Sequence, residues 1–464
     1  MAEPGAVAGV RRGVWMHVRA PWLGALVLAM GLPAGLVAQA DAPAGAVPVE
    51  RLAARREALR AKVGAGLVLV RAGVYEGVGT HPQGSFRQDD DFFYLTGLEE
   101  TGATLVGRPD QTWVLYLPER EPGREAWTGR RLGPGPEATR LTGIQDVRGN
   151  VQLAGDVGAL FASASAVRRL WLGGAVPTGC TTRGGACPDS LIAAAGARRP
   201  GAVYALAPAL AGLRVVKDED EVRRLRAAAA ITGAGLRAAM VVAAPGRHEY
   251  ELQAALEAEF RRGGAERVGF PSIIGSGPNS TVLHYDVNRR VLRAGDLVVM
   301  DVGAEYGYYT ADVTRTIPAA GQFTPRQRAL YQLVLGAQRA AIAAVRPGAS
   351  LPELERIART YLREHSDTLC GRVTCDRYFI HGLSHWIGLD VHDVGPMMVP
   401  LVPGMVLTVE PGLYIPEEEL GIRIEDDVLV TPAGREVLSG SAPKEPAEIE
   451  TLMQAHTSGP TTGR

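Results

Sequence analysis

A chain of 464 residues with a formal net charge of -1 has room for two or three domains and a sizeable core. The near-neutral balance leaves no electrostatic footprint for nucleic acid or for an anionic membrane surface.

The N-terminus reads as a targeting signal. Arg11, Arg12 and Arg19 precede an apolar run from Trp22 to Val37, and Ala38-Gln39-Ala40 offers a small-residue cleavage site before Asp41. The run is short for a stable span and contains Pro33, so residues 1–40 are expected to be removed and to leave no stable membrane anchor. Export to a periplasmic or extracellular, oxidising compartment is the expectation. The four cysteines all lie beyond the signal, in two local pairs. That pattern favours two short-loop disulfides, Cys180–Cys187 and Cys370–Cys375. A zinc site of four thiolates needs tighter spacing.

Residues 41–213 read as one domain of mixed strands and helices. Arg51–Val63 predicts a helix and Gly66–Val70 a buried strand; Thr104–Val106 and Trp113–Leu117 predict further strands. Phe86 to Glu100 sets three aspartates beside an aromatic cluster and reads as a strand with one wet face. Glu119–Pro136 reads as a long loop. Nothing here supplies a catalytic constellation, and a structural or oligomerising role is expected.

Residues 214–440 form a second unit. Asp218 is placed to cap a helix that runs to about Val242, and Pro245-Gly246 breaks it. A second helix covers Glu249–Arg262 and ends at Gly263-Gly264. Strand-like segments follow at Ser272–Gly275 and Val282–Tyr285. Val298 to Thr314 then reads as a β-hairpin. With Tyr306 and Gly307 at its tip, Asp301 and Asp312 stand directly opposite each other, with Cβ atoms about 4.5–5.5 Å apart. Like charges that close, among Val298, Val299, Met300 and Val302, require a shared proton or a cation.

The same order then recurs. Thr324-Pro325 starts a helix that ends near Val345, Pro347-Gly348 breaks the chain, and Ser350-x-x-Glu353 is a capping box for a helix to about His365. Leu292-x-x-Gly295 leads to Asp301-x-Gly303, and Leu401-x-x-Gly404 leads to Glu410-x-Gly412 at identical spacing. Each half adds one more acid, Asp312 and Glu425. The fold class is therefore α/β (α+β), with a duplicated helix–helix–sheet unit about a pseudo-two-fold axis and a site between the halves. The segment from about Ser441 to the C-terminus, rich in Pro, Thr, Ser and Gly, reads as a disordered tail.

His381, His385 and His392 lie in an otherwise apolar run, HGLSHWIGLDVH. Ile422-Arg423-Ile424-Glu425 alternates with period 2, so Arg423 and Glu425 share a face. Asp301, Asp312, Glu410, Glu425 and one imidazole make an oxygen-rich set. It suits Mn2+, Fe2+ or Co2+ better than a structural zinc. Four carboxylates exceed the need of one divalent ion, and two ions balance the charge better.

From about Val216 to Thr431 the chain resembles the catalytic domain of the metallopeptidases with the pita-bread fold, which include methionine aminopeptidase, prolidase and aminopeptidase P. HGLSHWIGLDVHDVG, TVEPGLY and GIRIEDD are most similar to the aminopeptidase P branch. The likeness extends N-terminally through FRQDDDFFYLTGLEETGATLV and WTGRRLGPGPEA. The resemblance implies that Asp301, Asp312, His385, Glu410 and Glu425 hold two divalent metal ions. Mn2+ is the first expectation, with Co2+, Fe2+ and Zn2+ as alternatives. It implies that Asp312 and Glu425 bridge and that Glu410 also moves a proton. His284 and His392 would contact the substrate or transition state, His381 would stand behind the ligands, and Arg423 would steady Asp301 or a neighbouring carboxylate. The implied substrates are peptides with proline as second residue, and the implied assembly is a homo-dimer or homo-tetramer. A dipeptide-restricted prolidase is the rival; Ser384-His385-Trp386 favours the aminopeptidase. A metal-free binding module is a further rival, disfavoured because all five ligand positions are filled.

Overall fold

The computed structural model describes residues 46–74, 86–162, 169–176 and 203–454. The expected signal and the Cys180–Cys187 pair lie outside the described residues.

A six-stranded mixed sheet dominates the first layer. Its spatial order is Asp146–Gly149, Trp113–Leu117, Thr104–Gly107, Leu67–Arg71, Leu170–Gly174 and Val203–Ala205. The three strands expected from β-branched runs are present within a residue or two, and the first helix runs Val49–Val63. Phe86 to Glu100 is a correction: its centre is a helix, Asp90–Thr96. Asp89 caps it, accepting a hydrogen bond from the Phe92 N–H at 3.0 Å, and Gly97 closes it at φ 67°. Two aspartates thus sit in the first turn, where the helix dipole favours negative charge. The aromatic residues Phe92, Phe93 and Tyr94 are buried. The expected loop at Glu119–Pro136 also contains a helix, Pro122–Thr128, which starts on proline.

The second layer repeats a helix pair followed by strands. Glu219–Val242 packs on Glu249–Arg262, and Pro325–Ala344 packs on Leu351–Glu364. Local chemistry sets these starts. The Asp218 carboxylate accepts from the Asp220 and Glu221 N–H groups while Glu221 reaches back to the Asp218 N–H. Thr324 and Gln327 form the same reciprocal cap. Ser350 accepts from the Glu353 N–H at 3.4 Å without the return bond, so the expected capping box is half made.

The strand Leu297–Val302 lies between Ile273–Ser276 and Val313–Pro318. In the other half Val406–Val409 pairs with Asp426–Thr431, and Gly412–Ile415 with Leu420–Arg423. A seam joins the halves: the Glu425 N–H donates to the Thr314 carbonyl at 3.1 Å, and the Arg423 N–H donates to Thr316 Oγ1 at 3.0 Å. Val282–Tyr285 is not a strand; it follows a 3-10 turn at Gly277–Thr281.

The hairpin register differs from expectation by two residues. Tyr306 pairs with Tyr309, so Gly307 and Tyr308 form the tip, with φ 58° and 73°, as a two-residue hairpin turn demands. Asp301 consequently faces Thr314, and Asp312 is its diagonal neighbour. A shift of two preserves the face, so both acids still point the same way. Tyr308 tolerates its conformation because its ring stacks on Phe93 at 3.7 Å and its hydroxyl accepts from the Gln88 N–H at 3.0 Å.

The expected disordered tail is corrected as far as residue 454. Pro446–Gln454 is a helix that buries Pro446, Ile449 and Met453 and packs on Glu219–Val242. Its apolar spacing is helical, masked in sequence by polar residues on both sides. Cys370 and Cys375 are disulfide-bonded in the loop that leads to His381. Closing so short a loop stabilises by about 2 kcal/mol. Reduction is expected to lower the thermal unfolding midpoint by a few degrees; an unchanged midpoint with both thiols shown free by labelling contradicts this.

Candidate metal centre

Between the two halves lies a cavity of about 650 Å³. Asp301, Asp312, Glu410, Glu425, His284, His381, His385, His392 and Arg423 all line it. Asp301 is on the central strand Leu297–Val302, and Asp312 immediately precedes Val313–Pro318. Glu410 follows Val406–Val409, and Glu425 bridges Leu420–Arg423 and Asp426–Thr431. Each half therefore supplies two acids at strand ends.

His385 is pinned to the strand Val406–Val409: its N–H donates to Thr408 Oγ1 at 3.1 Å, and its carbonyl accepts from the Thr408 N–H at 3.0 Å. Its Nδ1 lies 3.1 Å from the Trp386 carbonyl. A carbonyl only accepts, so that contact requires the proton on Nδ1. Nε2 then presents a bare lone pair to Asp312 Oδ2 and Glu410 Oε1, each 3.4 Å away. Three electron-rich atoms facing one another repel unless a proton or a cation lies among them. Asp312, His385 and Glu425 offer ligand atoms all within 4.8 Å of one another. Asp301 Oδ1, Asp312 Oδ1 and Glu425 Oε1 are buried and receive no hydrogen bond. These residues fit a divalent-metal centre.

Electrostatics give the same answer. Burial, with Glu425 as the strongest like-charge influence, raises Asp312 and Glu410 well above the usual carboxylate range. Burial and the Asp301 charge push Glu425 up to about 8. Burial lowers His385 to about 4, and burial with the Arg423 charge lowers His381 to about 4; both rings are neutral near pH 7. Burial disfavours the charge of Arg423, but Tyr414 and Asp301 outweigh it and hold its pKa well above the ordinary value.

Arg423 organises one wall. It donates to Asp301 Oδ2 at 2.7 Å, to Thr314 Oγ1 at 3.1 Å and to the Tyr414 hydroxyl at 2.8 Å. That hydroxyl lies 2.8 Å from His381 Nε2. Tyr414 was not singled out in the sequence. Its signal was the period of two along Glu410, Gly412 and Tyr414, which puts the three on one face. His284 and His392 stand at the mouth, both exposed, with ring centroids 6.4 Å apart.

Buried acids from two repeated halves, converging with one imidazole on an open cavity, define a metal-dependent hydrolase. Comparison with known proteins narrows the class. The profile of metallopeptidase family M24 matches residues 223–432, and that of the aminopeptidase P N-terminal domain matches residues 52–168. Xaa-Pro aminopeptidase from Haemophilus influenzae is 36% identical, over 79% of this chain and 88% of its own. The Escherichia coli Xaa-Pro aminopeptidase is 36% identical, over 80% and 89%. The solved structure of zinc-substituted E. coli aminopeptidase P in complex with product superposes with a TM-score of 0.79 at 32% identity, covering 88% of this chain and 99% of that one. The chain belongs to metallopeptidase family M24, and its second layer has the pita-bread fold. Membership implies divalent metal ions and a hydrolase.

Glu425 supplies a pH prediction. Its folded pKa is raised, so its contribution to the stability of the metal-free protein is full below about pH 4.5 and lost as pH rises through about 8. In chelator-treated protein, the stability of wild type relative to Glu425→Gln is expected to fall across that window. Thermal unfolding at stepped pH measures it, and a flat or rising difference contradicts the assignment.

Proposed function

We propose that the protein is an Xaa-Pro aminopeptidase, removing the leading residue from peptides with proline in second place. One observation carries the reading: both halves bring their acids to one cavity with His385. The names of the similar proteins, at over a third identity along most of the chain, support the aminopeptidase over a dipeptide-restricted prolidase and over a metal-free module. Two divalent ions, Mn2+ first among them, fit the charge of Asp301, Asp312, Glu410 and Glu425, with His385 as the neutral ligand. In this reading Asp312 and Glu425, one from each half, would help to hold the ions. The ions would supply Lewis acidity, generating a nucleophile from water and polarising the scissile carbonyl.

The chain's own residues do the rest. An Xaa-Pro bond is a tertiary amide without an N–H, so the departing proline nitrogen must be given a proton. Glu410 takes a proton from water and delivers it there. Thr408 Oγ1, 3.3 Å from Glu410 Oε1, orients that carboxylate. His284 and His392 donate hydrogen bonds to the developing oxyanion. Arg423 holds Asp301 by one oxygen and leaves the other free for an ion. His381 and Tyr414 buttress Arg423 from behind. Export to an oxidising compartment fits the Cys370–Cys375 disulfide, and assembly into a dimer or tetramer completes the proposal.

Purified mature protein with Mn2+ is expected to release glycine from Gly-Pro-Ala faster than from the dipeptide Gly-Pro, and to lose that activity on chelation. Glu410→Gln is expected to lower kcat by about 10²- to 10⁴-fold. Cleavage of Gly-Pro alone favours the prolidase, and absence of metal-dependent cleavage of both rejects the peptidase reading.

A further inference from the structure

The segment 383–395 carries His385 and His392, yet among the described residues its only strand pairing is one bridge from Trp386 to Leu407. Its first part hangs on the strand Val406–Val409 through His385 and through the Ile387 N–H, which donates to the Val406 carbonyl at 3.3 Å. Its second part is held by charge. The Asp393 side chain, 1% exposed, accepts from Arg214 Nη2 at 2.6 Å and from Lys217 Nζ at 3.1 Å. The Lys217 side chain is wholly buried. Arg214 also pairs with Asp90 at 3.0 Å and Asp91 at 2.8 Å, both in the first turn of the helix Asp90–Thr96. Arg87 runs parallel: it donates to the Leu389 carbonyl and pairs with Asp90 and Glu305, each at 2.7 Å. The Asp393 N–H closes the segment on the Trp386 carbonyl at 2.9 Å. Gly388 leaves room for the carboxylate, since a Cβ there would collide with Asp393 Oδ2.

His392 stands between these anchors. Among the described residues no hydrogen bond holds its ring; its N–H donates to Asp390 Oδ1 at 2.9 Å. The ring meets His385 edge-on at 4.6 Å. Its place over the cavity is therefore set by the backbone on either side, and the backbone on one side is fixed by Asp393.

We infer that Asp393, clamped by Arg214 and Lys217, is a positioning residue for His392, and that the N-terminal layer, through Asp90 and Asp91, sets the geometry of the histidines facing the substrate. The inference rests on the peptidase reading for the task it assigns to His392, though not for where it places the ring. A buried ion cluster adds little net stability over an apolar one of equal volume; what it supplies here is a single arrangement of a segment that lacks a ladder. A displacement of about 1 Å in a group that contacts the transition state costs up to about 10²-fold in rate.

The test uses the full, metal-loaded chain and Gly-Pro-Ala. Asp393→Asn is expected to lower kcat about 10- to 100-fold with KM and bound metal within about twofold of wild type. The same substitution on a His392→Ala background should cost nothing further, because both losses have one origin. Arg214→Lys alone, which keeps a cation against Asp393, should retain most of the wild-type kcat. Wild-type kcat in Asp393→Asn, or losses that multiply in the double variant, overturns the inference. If Asp393→Asn does not fold, Lys217→Met takes its place, since Asp393 then keeps Arg214. The crystal structure of the variant separates this inference from the peptidase reading. Where the wild type is active, a displaced His392 ring above unmoved His385 and carboxylates must accompany the lost kcat; where it is inert, that displacement alone supports the inference, and in either case an unmoved ring refutes it. A wild type inert toward Gly-Pro-Ala refutes the peptidase reading alone.

Discussion

Four carboxylates forced into one buried space are the constraint on which the rest of this structure depends. Asp301, Asp312, Glu410 and Glu425 cannot all stay ionised there without compensating charge, and burial drives Asp312, Glu410 and Glu425 toward protonation. Among the described residues one cation reaches the cluster directly, Arg423 on Asp301. The remaining imbalance suits divalent metal ions, which membership of the family implies. The fold is the device that makes such crowding possible: each repeat delivers its acids at strand ends, and neither repeat alone confines all four.

The scaffold under the cluster is held by the same kind of force. Arg315 is fully buried at the seam between the halves. It donates to the carbonyls of Thr314 and Glu425 and pairs with Asp426 at 2.7 Å. Asp426 also receives Lys444 and Ser439. Burial would raise the Asp426 pKa, but Arg315 and Lys444 outweigh it and hold the carboxylate below its usual range. Asp426 is thus a paired, satisfied neighbour one residue from Glu425, whose Oε1 is left unsatisfied. The paired Asp426 fixes the backbone, and Glu425 beside it faces the cavity. The cluster around Asp393 extends this logic to the histidine segment.

Much of this was legible in the sequence because the signals were local. Asp218, Thr324 and the Pro-Gly breaks set helix ends by chemistry within a few residues. The repeated Leu-x-x-Gly spacing exposed the duplication. What escaped depended on distant partners. The hairpin tip could sit at Tyr306-Gly307 or Gly307-Tyr308; the choice rests on Tyr308 accepting a left-handed backbone, which Phe93 supports from more than 200 positions away. Asp89 read as one of three aspartates along a half-wet strand because capping is invisible unless the helix is already suspected. The helix Pro446–Gln454 was lost in an averaged composition. Asp393 carried no local mark at all, since its partner Arg214 lies 179 residues upstream. The nine candidate site residues, by contrast, all line one cavity: eight stood out as polar groups in apolar strands or runs, and His284 came from the family resemblance.

The most direct measurement is anomalous diffraction from crystals of the full chain grown with Mn2+. The account predicts two strong peaks in the cavity, each within coordination distance of carboxylate oxygens from both halves, and one of them beside His385 Nε2. A cavity without anomalous signal, or peaks that leave Asp312 and Glu425 uncoordinated, would contradict it.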